Sequence, residues 1–223
     1  MNPDKQDARR RQIEQAAYDL LRENGYRSTS MLAVAKRAGA SNETLYRWYG
    51  TKQALFAALV QENARTVRER LDQVIAADED PMAALHSIAP LLLGLVTSER
   101  AVLLNRAAAG DVDDTGVLGR TIAACGREAV LPRLADVLGK ARQAGALGFA
   151  PAQAAQVAAT FINLLIGDLQ IQRVIGVRPE LSPQEIKARS SDALDKLTTL
   201  YPPAGSLISP PRRARSARSG TPS

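Results

Sequence analysis

Aromatic residues make up only 4% of the 223-residue chain, which has a single cysteine and a single histidine. Cys125 alone cannot form an internal disulfide, so apolar packing has to hold the fold, and one thiol suits a reducing compartment. With His86 as the only imidazole, a zinc or transition-metal centre built on His and Cys is not expected, and no cofactor is called for. A glycine-rich phosphate loop and a G-x-S-x-G elbow are both missing, so nothing points to an enzyme. Long hydrophobic runs are missing too. The longest, such as 88–96, are too short to cross a bilayer and carry Pro90 and Gly94. No apolar segment follows the N-terminal charges, so neither a signal peptide nor a membrane partner is expected, and the expected location is cytoplasmic.

What is abundant is Ala and Leu, which favour helices, and no stretch alternates with the period of a strand. Charge is uneven. Residues 1–60 hold ten Lys or Arg against six Asp or Glu, residues 61–201 hold fifteen against seventeen, and residues 202–223 hold four Arg and no acid. Basic ends around a mildly acidic middle place a polyanionic partner at the N-terminal part of the chain.

Hydrophobic spacing predicts a first helix from about 4–7 to 24, ended by Gly25, with Ile13, Ala16, Ala17, Leu20 and Leu21 facing inward. Arg9, Arg10 and Arg11 near its start either meet a polyanion or form a solvated basic helix end. In 28–56, Thr29 and Ser30 can cap a short helix whose small apolar face is Leu32, Val34 and Ala35. Gly39 follows where the chain must reverse. Ser41 or Asn42 can cap the next helix, whose Leu45 and Tyr49 share an inward face. Asn42, Glu43, Tyr46 and Arg47 fall mostly on the other side, where donors and acceptors suit base edges and phosphates. Two short helices joined by a tight glycine turn form a helix-turn-helix, whose second helix enters the major groove. The bland reading is an exposed helix of an α bundle.

Further along, a long helix runs from about 51 to 77, then 78–81 reads as a break. Apolar helices are predicted over Pro81–Thr97 and 99–109. Asp111, Asp113 and Asp114 lie in an acidic turn, read as solvated more readily than as a divalent-ion site. A long helix is predicted over 116–145 with a kink or break at Pro132, another over 151–176, and a last one over 182–201. The segment 155–171 is apolar nearly all round and should be buried on two sides, either against a second subunit or at the centre of a monomer. Cys125 reads as a buried structural cysteine more readily than as a redox switch.

The run GYRSTSMLAVAKRAGASNETLYRWYGTKQALF resembles the N-terminal domain of the tetracycline-repressor (TetR) family of bacterial transcription regulators. The resemblance rests on Gly25-Tyr26, Thr29-Ser30, Val34-Ala35, Ala38-Gly39, Ser41, Thr44-Leu45-Tyr46, Lys52 and Leu55-Phe56. Tyr49 stands where Phe is usual, so a core position gains a hydroxyl. Trp48 stands where His or Tyr is frequent, and either covers the DNA backbone or packs on the domain. The segments TSERAVLLNRAAAGD and LLIGDLQIQRVIG are similar to the C-terminal domain of one regulator subgroup.

The resemblance implies an all-α chain, with a three-helix DNA-binding domain at 1–50 and a helical effector-binding and dimerisation domain at 51–201 that begins with a connecting helix. A basic tail at 202–223 is expected to be disordered. It implies a repressor that leaves its double-stranded operator when a small molecule binds, acting as a homodimer through the last two core helices. The alternative is a DNA-binding regulator controlled by a protein partner. An all-helical enzyme or adaptor with an accidental likeness is a further rival.

Thr29, Ser30, Ser41, Thr44, Tyr46 and Lys52 would position the domain on DNA, while Asn42, Glu43 and Arg47 could reach bases. A pocket would lie between Pro81–Thr97, 99–109, 116–144 and 151–176. Its polar contacts would come from His86, Asn105, Thr121, Asn163 and Gln170 against mostly aliphatic walls.

Overall fold

The computed structural model describes residues 3–77 and 79–203, and the expected tail from 204 onward lies outside the described residues. Eleven α-helices and no strand are present among them. They are α1 (Pro3–Ser28), α2 (Met31–Arg37), α3 (Asn42–Tyr49), α4 (Lys52–Ala77), α5 (Pro81–Thr97) and α6 (Glu99–Asp111), followed by α7 (Val117–Ala123), α8 (Ala129–Gln143), α9 (Ala154–Ile166), α10 (Leu169–Val174) and α11 (Pro183–Leu200). α1 is interrupted at Gly25, where the backbone leaves helical angles (φ 72°, ψ 174°), as its glycine predicts.

Two apolar cores share one connecting helix. The first gathers Ile13, Ala17 and Leu21 of α1, Val34 of α2, Leu45 of α3 and the opening turns of α4, among them Leu55 and Phe56. It also takes Leu103, Leu104 and Ala107 from α6 and Leu118 from α7, so helices beyond residue 97 help to seat the N-terminal unit. The second core gathers Val67, Leu71 and Val74 of α4 with the inner faces of α5, α8, α9 and α11. α4 is thus a single rigid rod anchored in both.

Three expectations need correction. The chain between 116 and 145 does not kink at Pro132. It breaks at 124–128, a wide turn of π type in which Gly126 has φ −91° and ψ −105°. α8 restarts at Ala129 and keeps helical angles through Pro132, its fourth residue, where the ring forgoes the hydrogen bond that an N–H would make to the Glu128 carbonyl. The predicted helix over 151–176 divides at Gly167. Its φ of 51° and ψ of −128° are open to glycine and strained for other residues. Leu32, assigned to the apolar face of α2, is 64% exposed, because the seven-residue helix buries only Met31, Val34 and Ala35.

α11 starts on a full capping box. Ser182 Oγ accepts from Glu185 N at 3.2 Å, and Glu185 Oε2 accepts from Ser182 N at 2.8 Å. Ser182→Ala should lower unfolding stability by about 1 kcal/mol. In urea titration this should read as a lower midpoint at unchanged slope, and an unchanged midpoint would mean that the cap contributes nothing.

A groove-reading helix tied to a core cavity

α3 owes its placement to one buried residue and two polar clamps. Leu45 is fully buried in the first core, while Ser41, Asn42, Glu43, Tyr46 and Arg47 are exposed. Ser41 caps the helix, its Oγ accepting from Thr44 N at 3.1 Å and sharing a hydrogen bond with Thr44 Oγ1 at 2.8 Å. Gly39, at φ 61°, makes the reversal between α2 and α3. The Arg9 guanidinium donates to the carbonyls of Ala38 and Gly39 at 3.1 Å, so Arg9 locks that turn from α1. On the other side Arg37 pairs with both oxygens of Glu23, at 2.9 and 2.7 Å. Arg47 makes no ion pair among the described residues, so its guanidinium is available for an external acceptor. Trp48 and Tyr49 are half-buried against the first core, and burial pushes the Tyr49 hydroxyl's pKa up.

Two expected DNA-contacting residues are turned inward. Thr29 is 2% exposed and its Oγ1 donates to the Gly25 carbonyl at 2.8 Å, closing the turn that Gly25 opens. Ser30, not Thr29, caps α2 by accepting from Ala33 N at 3.1 Å. The Lys52 ammonium donates to the Tyr26 carbonyl and lies 4.1 Å above the centre of the Tyr26 ring. Here it is an internal tie rather than a free cation, and burial lowers its pKa.

Asp111 completes this joint. Expected in a solvated turn, it is fully buried, and no cluster of acidic residues with a metal-holding arrangement exists among the described residues. Its carboxylate accepts from Thr115 Oγ1 at 3.0 and 2.9 Å, from Leu118 N at 3.2 Å and from the Tyr26 hydroxyl at 3.4 Å. Tyr26 also packs edge-on against Phe56, with ring centres 5.3 Å apart. Burial, then the nearby Asp111 charge, keeps the Tyr26 phenol protonated. The end of α6 is thereby joined to the end of α1 and the start of α4. A second joint lies at the other end of α6, where Glu99 meets Arg22 of α1 at 3.3 Å and the buried Arg173 of α10 at 3.7 Å.

Between these joints lies a cavity of about 290 Å³. Its walls mix residues of the two cores, among them Val60, Leu104, Leu92, Val130 and Ile162. The break at 124–128 forms one side, with Cys125, Gly126 and Arg127 lining it. Of the polar residues expected in a pocket, Asn105 and Gln170 line this cavity, and the spacing argument missed Asn63. His86 is exposed on α5, with its Nδ1 at 2.9 Å from the Met82 carbonyl oxygen. Thr121 donates to the Val117 carbonyl at 2.8 Å and lies off the cavity wall. Asn163 is exposed on the outer face of α9. Cys125, expected to be buried, is half-buried and free.

Residues 13–59 match the family model described as bacterial regulatory proteins of the tetR family, and residues 83–203 match that of the AefR-like transcriptional repressor C-terminal domain. The chain belongs to the TetR family. α3 is accordingly the second helix of its helix-turn-helix, and residues 83–203 form its C-terminal domain. Among solved TetR-like structures, one from Mesorhizobium loti superposes with a TM-score of 0.73 at 22% identity, covering 90% of this chain and 99% of that one. The flavonoid-responsive regulator FrrA superposes at 0.62 with 28% identity, covering 87% and 97%.

Similar curated TetR-type proteins include the transcriptional regulator UidR of Escherichia coli, 25% identical over 52% of this chain and 55% of its own length. The repressor KstR of Mycolicibacterium smegmatis is 28% identical over 51% and 60%. The chain therefore spans about half the length of these curated relatives. No single helix among the described residues is long and apolar enough to cross a membrane.

Lys52→Met removes a charge-assisted hydrogen bond and the ring contact at the joint. It should lower unfolding stability by about 1.5–3 kcal/mol in thermal or urea denaturation. Weaker duplex binding at unchanged stability would instead make Lys52 a phosphate contact.

Proposed function

We propose that the chain is a repressor that holds an operator as a homodimer and leaves it when a small, mostly apolar molecule fills the cavity between its two cores. The observation behind this reading is the sorting of α3, in which Leu45 alone is buried and a polar, uncommitted surface faces out. Asn42 suits adenine, Arg47 suits guanine, and Glu43 can accept from cytosine N4. Ser30, Ser41, Thr44 and Tyr46 would fix position on the backbone. The proposed division puts the DNA-reading domain at 1–50 and the effector and dimer domain from 51, with α4 as the connection.

α9 and α11 are the proposed dimer surface. Their outer faces carry Ala155, Gln156 and Asn163, and Ala188, Ser191 and Asp195, all exposed and several small enough for close helix approach. Two copies would then set two recognition helices about 34–36 Å apart, one turn of duplex. A ligand wedged against Leu104 and Asn105 bears on α6. α6 ends at Asp111, the anchor of Tyr26, so a shift of α6 tilts the DNA-reading unit. By reciprocity, operator must weaken ligand binding as much as ligand weakens operator binding. FrrA is a flavonoid-responsive regulator, which supports a small ring-bearing ligand for a fold of this kind.

Arg47→Ala should weaken binding to an operator selected from random duplexes by about 1–3 kcal/mol in fluorescence anisotropy, with affinity falling steeply as salt rises. Binding that ignores salt, or sedimentation as a monomer with no duplex affinity, would contradict the reading. Ile166→Trp, which projects bulk into the cavity from its half-buried wall, should leave operator affinity within about threefold while abolishing any ligand-induced thermal shift found in a metabolite panel. A retained shift would put the effector elsewhere.

A further inference from the structure

A second concavity lies beside the first, on the far side of a wall made by Asn63 and Leu95, which line both. It is a cleft of about 450 Å³ where α1 meets α4, α5 and the start of α6. Its floor is apolar, with Leu59, Val67, Pro90 and the 41%-exposed Leu91. Its rim from α1 carries Glu14 and Tyr18. The Tyr18 ring is buried, with the residue 3% exposed, and its hydroxyl, which makes no hydrogen bond among the described residues, is not among the side-chain oxygens sealed from solvent. Glu14 is half-buried and likewise makes no ion pair or hydrogen bond among them.

The charges facing Glu14 decide what the cleft would accept. Glu62 of α4 adds a second carboxylate, already held by Arg65 at 2.9 Å. Arg65 is itself shared with Glu69 at 3.0 Å. Arg100 of α6 is laid over the Tyr18 ring at 5.0 Å and reaches Gln15 at 3.4 Å. Arg10 and Arg11 line a neighbouring hollow that they share with Asp7, Glu14, Glu62 and Arg65, so they face the Glu14 carboxylate from outside the cleft. Burial and then the Glu62 carboxylate push the Glu14 pKa up, outweighing Arg100, Arg10 and Arg11, which all pull it down. An added positive charge would relieve both effects.

From this placement we infer that the cleft is a second small-molecule site, taking an organic cation with an apolar body. The ammonium sits between Glu14 and the Tyr18 hydroxyl, and the body lies along Leu91, Pro90 and Leu95. Such a ligand bridges α1 to α4 and α5, so it braces the DNA-reading unit against the body. This inference does not depend on what fills the first cavity.

The test uses three matched probes on the full-length protein in isothermal titration calorimetry: 4-phenylbutylamine, 4-phenylbutanol and 4-phenylbutyrate. The amine should bind at least tenfold tighter than the alcohol and the carboxylate. Glu14→Gln should reduce amine binding at least tenfold and Leu91→Gln severalfold, both without loss of thermal stability, since each side chain is at least partly exposed and neither makes a polar contact. Ile166→Trp, blocking the first cavity, should leave amine binding intact. No preference for the amine, full binding in Glu14→Gln, or loss of binding in Ile166→Trp would each overturn the proposal, the last by moving the probe to the first cavity.

Discussion

The polar joint between the helix-turn-helix unit and the rest of the chain is built on a buried carboxylate. Asp111 is fully removed from water, and such a charge is tolerated only when its oxygens are satisfied. Thr115 and the Leu118 backbone satisfy it locally. The remaining partners come from the other unit, the Tyr26 hydroxyl directly and the Lys52 ammonium through the field that Lys52 shares with it. Removing the N-terminal unit from α6 would leave this charge underpaired.

The main cavity gains its meaning from that coupling. A void inside one well-packed core would only weaken it, since interiors tolerate few gaps. This one lies where two cores meet, with a broken helix segment at 124–128 on one side and α6 on the other. On the reading proposed above, a ligand there would press on the element whose far end holds Asp111. The Glu99 bridge to Arg22 and Arg173 ties the other end of α6 to α1 and α10, so a displacement in its middle would be felt at α1.

The helical layout was legible because caps and period agree. Thr51 and Ser41 start helices where their hydroxyls accept from free N–H groups, and α3 sorted its faces by the spacing of Leu45. What was hidden depended on distant partners. Asp111 read as solvated because Tyr26, 85 residues away, is what helps to bury it. Thr29 and Lys52 read as surface donors because the carbonyls of Gly25 and Tyr26 become their acceptors only after the chain turns at 25. Pro132 read as a break because the restart of α8 just before it is not written in local sequence. Among polar residues on apolar helices, periodicity could not tell the cavity face of Asn105 and Gln170 from the outer face of Asn163, since α9 is apolar nearly all round.

The coupling at the joint is open to a double-mutant cycle read in operator affinity, using Tyr26→Phe, Asp111→Asn and the pair. If Tyr26 and Asp111 act as one connection, each single change weakens operator binding and the double variant is no weaker than the worse single. Losses that simply add, or singles that leave operator affinity untouched, would mean that α6 does not hold the reading helix through this carboxylate.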